Sequence, residues 1–232
     1  METFTDQYFQ EHFDRVLSAA SGSLRAELLR LKMAPYASDP ATTLRPAPLY
    51  VVSMKPYGAP GKTYPFGWEE RRERPALHRW YDGDKAGGNF VREADRLLKN
   101  CLEALGSDLP PREVLNLYAY AFRAPDARVL KAWGLDQLKN LAWHQSLLEA
   151  VRPRLVLCIG NGPAPSAFAL YRELFPAAEV AEITPRPRLK VRWLRGGGTV
   201  VLGVPHLSYV RAGEVWETVS GVMDAEVTRG GT

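Results

Sequence analysis

Residues 49–61 read Leu-Tyr-Val-Val-Ser-Met-Lys-Pro-Tyr-Gly-Ala-Pro-Gly. An apolar run, Leu49 to Val52, is followed at once by two prolines and two glycines. This is the pattern of a buried strand emptying into a loop. In open α/β sheets ligands sit just beyond the carboxyl ends of the strands, and Lys55 falls at such an end.

Working outward, three more apolar runs repeat the theme. Val114 to Phe122 is one, interrupted by Asn116; Leu155 to Ile159 is another, entering Gly160-Asn161-Gly162-Pro163; Thr199 to Val204 is the last, entering Pro205-His206-Leu207-Ser208-Tyr209. Between them lie segments with helical spacing: Asn89 to Leu105, Pro125 to Trp133, Leu135 to Val151, Ala164 to Leu174 and Glu214 to Val227. Ahead of them, residues 5–33 read as two helices broken at Ser21-Gly22-Ser23. The proline-rich residues 34–48 read as a crossing loop, residues 81–88 as turns, and Val180 to Ile183 as a candidate short strand. Strands that alternate with helices imply a parallel sheet covered on both faces. The predicted architecture is α/β: a three-layer α/β/α domain, residues 1–232, around a mainly parallel four-stranded sheet. Residues 1–45 form an N-terminal helical extension.

Composition bounds the function. The chain has 232 residues, 46% hydrophobic and 24% charged, with net charge +4. Its isoelectric point near 9.1 leans towards a polyanionic partner. Two cysteines, Cys101 and Cys158, exclude a disulfide framework and an all-cysteine iron–sulfur cluster. No metal or cofactor is implied. The opening Met-Glu-Thr-Phe-Thr-Asp is acidic and has no signal-peptide apolar region, and no apolar run approaches membrane-spanning length. The expectation is a cytoplasmic monomer that does not engage membranes.

Three strand ends deliver polar residues towards one sheet edge: Lys55, Asn116, and His206 with Ser208. Asn116 and His206 each have a plain alternative. Asn116 is a satisfied buried amide or a ligand reader, and His206 is a cap or a site residue. Phe66 and Trp68 are packing or a stacking surface. Arg71, Arg72, Arg74 and Arg79 make residues 69–79 dense in charge. Arg186, Arg188, Lys190, Arg192 and Arg195 form a protected edge strand or a phosphate-contacting strip. Gly160-Asn161-Gly162 lacks dinucleotide and P-loop signatures and reads as a tight turn.

Ser53-Met54-Lys55-Pro56-Tyr57-Gly58-Ala59-Pro60-Gly61 resembles the first motif of family 1 uracil-DNA glycosylases, Gly-Gln-Asp-Pro-Tyr-His-Gly-Pro-Gly, with the Pro-Tyr and Pro-Gly pairs in register. Val114-Leu115-Asn116-Leu117, with Arg123 further on, is similar to the family's second-strand motif. Val200 to Ser208 is similar to its final His-Pro-Ser motif, with Leu207 in place of proline. The resemblance spans roughly residues 45–215. It implies a protein that binds single- or double-stranded DNA and recognises a flipped uracil or other deaminated base. Asn116 would read the base, since an amide offers an acceptor and a donor. His206 would stabilise the leaving base as an anion. Tyr57 would close the pocket, Phe66 or Trp68 would stack on the base, Met54 would help bind it, and Pro60 and Gly61 would contact DNA. Ser208 would contact backbone phosphate, and Tyr209, Val210 and Arg211 would wedge into the minor groove.

One departure stands out: the family's catalytic aspartate is replaced by Lys55. An ammonium about 4 Å from a developing oxocarbenium ion costs roughly 4 kcal/mol at an effective dielectric of about 20, about a thousandfold in rate. Three outcomes are consistent with this. Excision proceeds by leaving-group stabilisation at His206 and Asn116; or a neutral Lys55 acts as an amine nucleophile on the sugar; or DNA binding persists without catalysis. An unrelated α/β nucleotide-binding protein is the reading from a different class.

Overall fold

The computed structural model describes residues 5–73 and 89–228. Arg74, Arg79 and residues 81–88, singled out above, lie outside the described residues. The strands are β1 (Leu49–Ser53), β2 (Asn116–Tyr118), β3 (Leu155–Ile159), β4 (Ala181–Arg186), β5 (Leu189–Gly196) and β6 (Thr199–Val204). The helices are α1 (Asp6–Ala19), α2 (Gly22–Leu31), α3 (Pro40–Thr43), α4 (Gly67–Glu73), α5 (Asn89–Ala104), α6 (Ala127–Ala132), α7 (Leu135–Leu138), α8 (Leu141–Val151), α9 (Ala167–Leu174) and α10 (Ala212–Val222).

The six strands form one sheet in the order β2-β1-β3-β6-β5-β4. The first four run parallel, and β5 and β4 are antiparallel additions. The sheet is therefore larger than the four strands expected, and mixed. The basic segment 185–195 belongs to a hairpin. Arg188, at φ 71°, occupies its turn, and β5 turns Leu189, Val191 and Leu194 into the core.

Side chains alternate between two cores, as the period of a strand requires. Leu49, Val51, Leu155, Leu157, Ile159, Val200, Leu202 and Val204 pack against Leu97, Leu98 and Cys101 of α5 and Val215 and Val219 of α10. Tyr50, Val52, Val156, Cys158 and Val201 face the other way, onto Trp143 and Leu147 of α8 and Phe168 and Tyr171 of α9. Phe9, Phe13 and Val16 of α1 belong to that second core, as does Leu28 of α2, so the N-terminal helices contribute to it directly.

The expected strand 114–122 keeps regular pairing only over Asn116–Tyr118. Its outer edge is covered by residues 33–38. The Ala34 N–H donates to the Ala121 carbonyl (2.8 Å), Tyr118 N–H to the Pro35 carbonyl (3.0 Å) and Ala37 N–H to the Asn116 carbonyl (2.8 Å). Proline at 35 precludes a regular ladder there, yet the edge is closed.

A buried polar chain ties three elements and the segment after β2 together on the α8 side. His144 of α8 shares its Nε2 proton with the Ala119 carbonyl and accepts at Nδ1 from the Tyr171 hydroxyl, both at 3.0 Å. The Tyr50 hydroxyl completes the chain at 3.0 Å from Tyr171. Burial lowers the His144 pKa from 6.5 to about 4.

Two outcomes follow from this packing. Histidine 144 accepts a proton below about pH 6.5 when unfolded but only near 4 when folded, so stability falls as pH drops between those values, by about 3 kcal/mol for this group. Denaturant midpoints taken from pH 7 to pH 4 should show that decline, and it should be shallower in His144→Gln. Gly203 of β6 lies under the Phe168 ring, where an added Cβ would come within 2.6 Å of it. Gly203→Ala should cost about 1–3 kcal/mol in the same measurement.

Candidate functional site

The register of the parallel strands sets the geometry. Ser53 pairs with Tyr118 and with Ile159, and Ile159 pairs with Val204, so four strand ends stand level. Lys55 and His206 each lie two residues past that row, on strands separated only by β3. At the usual strand spacing the strand ends they follow, Ser53 and Val204, are about 10 Å apart.

Lys55 is half-buried. Its ammonium donates to the Ala124 carbonyl and lies 5.9 Å from the Tyr57 ring centroid. Among the described residues it forms no ion pair; the Asp126 carboxylate acts on it only through space. Loss of water on burial dominates and brings its pKa from 10.5 down to about 8.

His206 stacks on Phe90 of α5, with ring centroids 4.8 Å apart and planes at 25°, and Tyr209 lies 5.7 Å away. Its Nδ1 accepts the Ser208 N–H at 3.3 Å, which leaves Nε2 as the protonated nitrogen of the neutral ring. Partial withdrawal from water, and then the Lys55 charge, lower its pKa. The Lys55 charge thus reaches His206.

Both loops are braced. Residues 56–58 pair with Ala124, and Gly58 fits closely there: a Cβ would meet a Leu31 methyl at 2.8 Å and the Arg123 Cβ at 3.1 Å. Arg123 lies over the Tyr64 ring (5.0 Å) and pairs with Glu70 at 2.6 Å. The Tyr64 hydroxyl accepts the Ala59 N–H at 2.9 Å. The loop after β6 is fixed from α5: buried Glu93 accepts the Ala212 N–H at 2.7 Å, at the start of α10.

Other expected site residues lie apart from this pair. Asn116 is fully buried and level with Val51, two residues below the edge. Its backbone N–H donates to the Ser38 hydroxyl at 2.9 Å. The edge position on β2 belongs to Tyr118, whose hydroxyl has its pKa raised by burial. Phe66 and Trp68 are core residues: their rings stack on each other at 4.2 Å, and Phe66 meets Phe13 edge-on at 5.0 Å. Met54 packs on the same core. Pro60, Gly61, Ser208 and Arg211 are exposed. Tyr57 and Tyr209 stand out at 64% and 80% exposed, the two aromatic rings among the exposed large hydrophobics of the described residues.

Sequence reading passed over Phe90, Glu93 and Tyr118. Phe90 and Glu93 had a weak signal, three residues apart at the start of an amphipathic helix. Tyr118 had only its position, two residues along from Asn116.

The basic strip is largely neutralised within the protein. Lys190 and Arg192 both pair with Glu182 (2.8 and 2.7 Å), Arg186 with Glu214 (3.4 Å) and Arg195 with Glu226 (3.2 Å). A separate cleft of about 660 Å³ beside α9 is lined by Arg172, Glu173, Glu182 and Arg192. Glu173 and Glu182 are already paired with Lys139, Lys190 and Arg192. Among the described residues no three His, Cys, Asp or Glu side chains gather to hold a metal ion, and no helix is long and apolar enough to cross a membrane.

Compared with models of known families and with curated proteins, the chain finds no match.

Removing the Lys55 charge should raise the His206 pKa. Imidazole chemical shifts followed through a pH titration of Lys55→Gln should move to a higher midpoint than in the wild type; an unchanged midpoint would show that the two groups do not interact.

Proposed function

We propose that the chain binds DNA and acts as a uracil-DNA glycosylase-like protein on a flipped uracil or another deaminated base, with hydrolysis of the N-glycosidic bond slowed by Lys55. The observation that carries this reading is the convergence of Lys55 and His206 at one row of parallel strand ends, with exposed Tyr57 and Tyr209 beside them. Aromatic rings beside a cationic group suit a nucleobase and its backbone.

The chemistry follows from the ring of His206. With Nδ1 accepting from Ser208, Nε2–H is the donor available to a base oxygen that gains negative charge as the glycosidic bond breaks. Stabilising a leaving group in this way needs no carboxylate. Tyr118 replaces Asn116 as the polar side chain at the edge of β2, and the base-reading role passes to it in this proposal. Tyr57 flanks the base, and Tyr209 with Arg211 meets the flanking strand. Phe66 and Trp68 support the loop from within the core.

Lys55 favours a second reading, a DNA-binding protein without turnover, because most of its population carries a positive charge at neutral pH, where the departing base leaves a cationic sugar.

Excision from a labelled single-stranded uracil oligonucleotide, read after alkali cleavage, separates the two. His206→Ala should reduce excision at least 100-fold, and Lys55→Ala should raise it at least tenfold. DNA binding without cleavage by any form would favour the second reading; neither binding nor cleavage would remove both.

A further inference from the structure

The amine of Lys55 has no partner in the hydrolytic scheme, which it only hinders. Its surroundings suit another reaction. The group is half-buried at the mouth of the site, is held by the neutral carbonyl of Ala124 and, among the described residues, is free of any ion pair. The groups that face it are Tyr57 from its own loop, His206 from the loop after β6, and Asp126 from the start of α6. Of these Asp126 favours the cation through space and the Tyr57 ring favours it weakly, at 5.9 Å, while loss of water on burial outweighs both. Asp126 remains beyond ion-pair distance, and its carboxylate is committed to the Arg128 and Val129 N–H groups at 2.7 and 3.1 Å.

We propose that Lys55 is a catalytic amine that forms a Schiff base with the aldehyde of an abasic site in DNA and cleaves the strand on its 3′ side. The inference rests on the reading above, since an abasic site is what base excision leaves.

The steps balance. The Lys55 Nζ lone pair attacks C1′ of the ring-opened sugar, a C–N bond forms, and the C1′ oxygen leaves as water, giving an iminium ion. The iminium acidifies the C2′ hydrogen, which solvent removes. The electron pair then forms the C2′–C3′ double bond, and the C3′–O bond breaks with departure of the 3′ phosphate. Water adds back at C1′ and releases the lysine. No oxidant, reductant or metal is consumed. His206 takes no proton in this scheme, because its Nδ1 is engaged by Ser208 and its Nε2 already carries hydrogen.

The lowered basicity of Lys55 supports the assignment. With a pKa of about 8, about one amine in ten is neutral at pH 7, whereas at an ordinary 10.5 the fraction is about one in 3,000. The neutral amine is the nucleophile.

The test is borohydride trapping on an oligonucleotide carrying one abasic site. A tetrahydrofuran analogue, which has no aldehyde, serves as the binding control. The wild type should give a covalent protein–DNA adduct whose yield rises from pH 6.5 to pH 8.5. Peptide mapping should place the DNA on Lys55, a readout independent of how any variant folds. Lys55→Ala should lose at least 50-fold in adduct while still binding the analogue, and His206→Ala should keep the adduct even as it loses uracil excision. Binding of the analogue without any adduct would overturn the proposal and leave the glycosylase reading standing. An adduct mapped to another amine would also overturn it. Absence of binding to every oligonucleotide would remove both.

Discussion

Everything at the candidate site depends on one register. Ser53, Tyr118, Ile159 and Val204 stand in a row across four parallel strands, so the loops after β1 and β6 leave the sheet at the same height. A slip of one residue in either pairing would exchange a strand's two buried faces between the two cores. It would also carry Lys55 or His206 to the opposite core. Both faces resist such a slip. Leu157 and Leu202 are locked against α5 and α10, while the Tyr50–Tyr171–His144 chain and the close seat of Phe168 on Gly203 hold the other side.

The sheet's parallel core was legible because its strands are continuous apolar runs ending in proline or glycine. β1, β3 and β6 announce themselves in this way, and they position the Lys55 and His206 loops. The β4–β5 hairpin was harder to see. Pro185 interrupts β4, and Lys190 and Arg192 alternate with Leu189 and Val191, so half the pattern reads as charge. Those charges belong to solvated ion pairs with Glu182 of β4, so they tie the edge strand to β5 inside the sheet. The place of Asn116 could not be read either, since a linear motif carries no register. The side chain falls at the level of Val51, and Tyr118 takes the edge. Phe66 and Trp68 illustrate a related ambiguity. An aromatic pair next to a site loop can stack on a ligand or support the loop, and only their packing against Phe13 and Phe9 decides for support.

The electrostatics of the site turn on a lysine and a histidine kept close together. Burial weakens Lys55 as a base, and burial together with the Lys55 charge disfavours protonation of His206. A neutral imidazole and a partly neutral amine are the forms a leaving-group donor and an amine nucleophile require. The same positive charge opposes a cationic sugar. In the proposed reading the change from aspartate to lysine therefore exchanges efficient hydrolysis for reactivity towards the aldehyde that hydrolysis leaves behind.

The most direct test of the central claim, that nucleic acid is engaged at this row of strand ends, is an amide and imidazole chemical-shift titration with a short oligonucleotide carrying a non-cleavable deoxyuridine analogue. The account expects the largest shifts at residues 54–58, Phe90 and residues 205–211, with the cleft beside α9 unaffected. Shifts centred on Arg172 and Arg192, or none at the Lys55 and His206 loops, would contradict it.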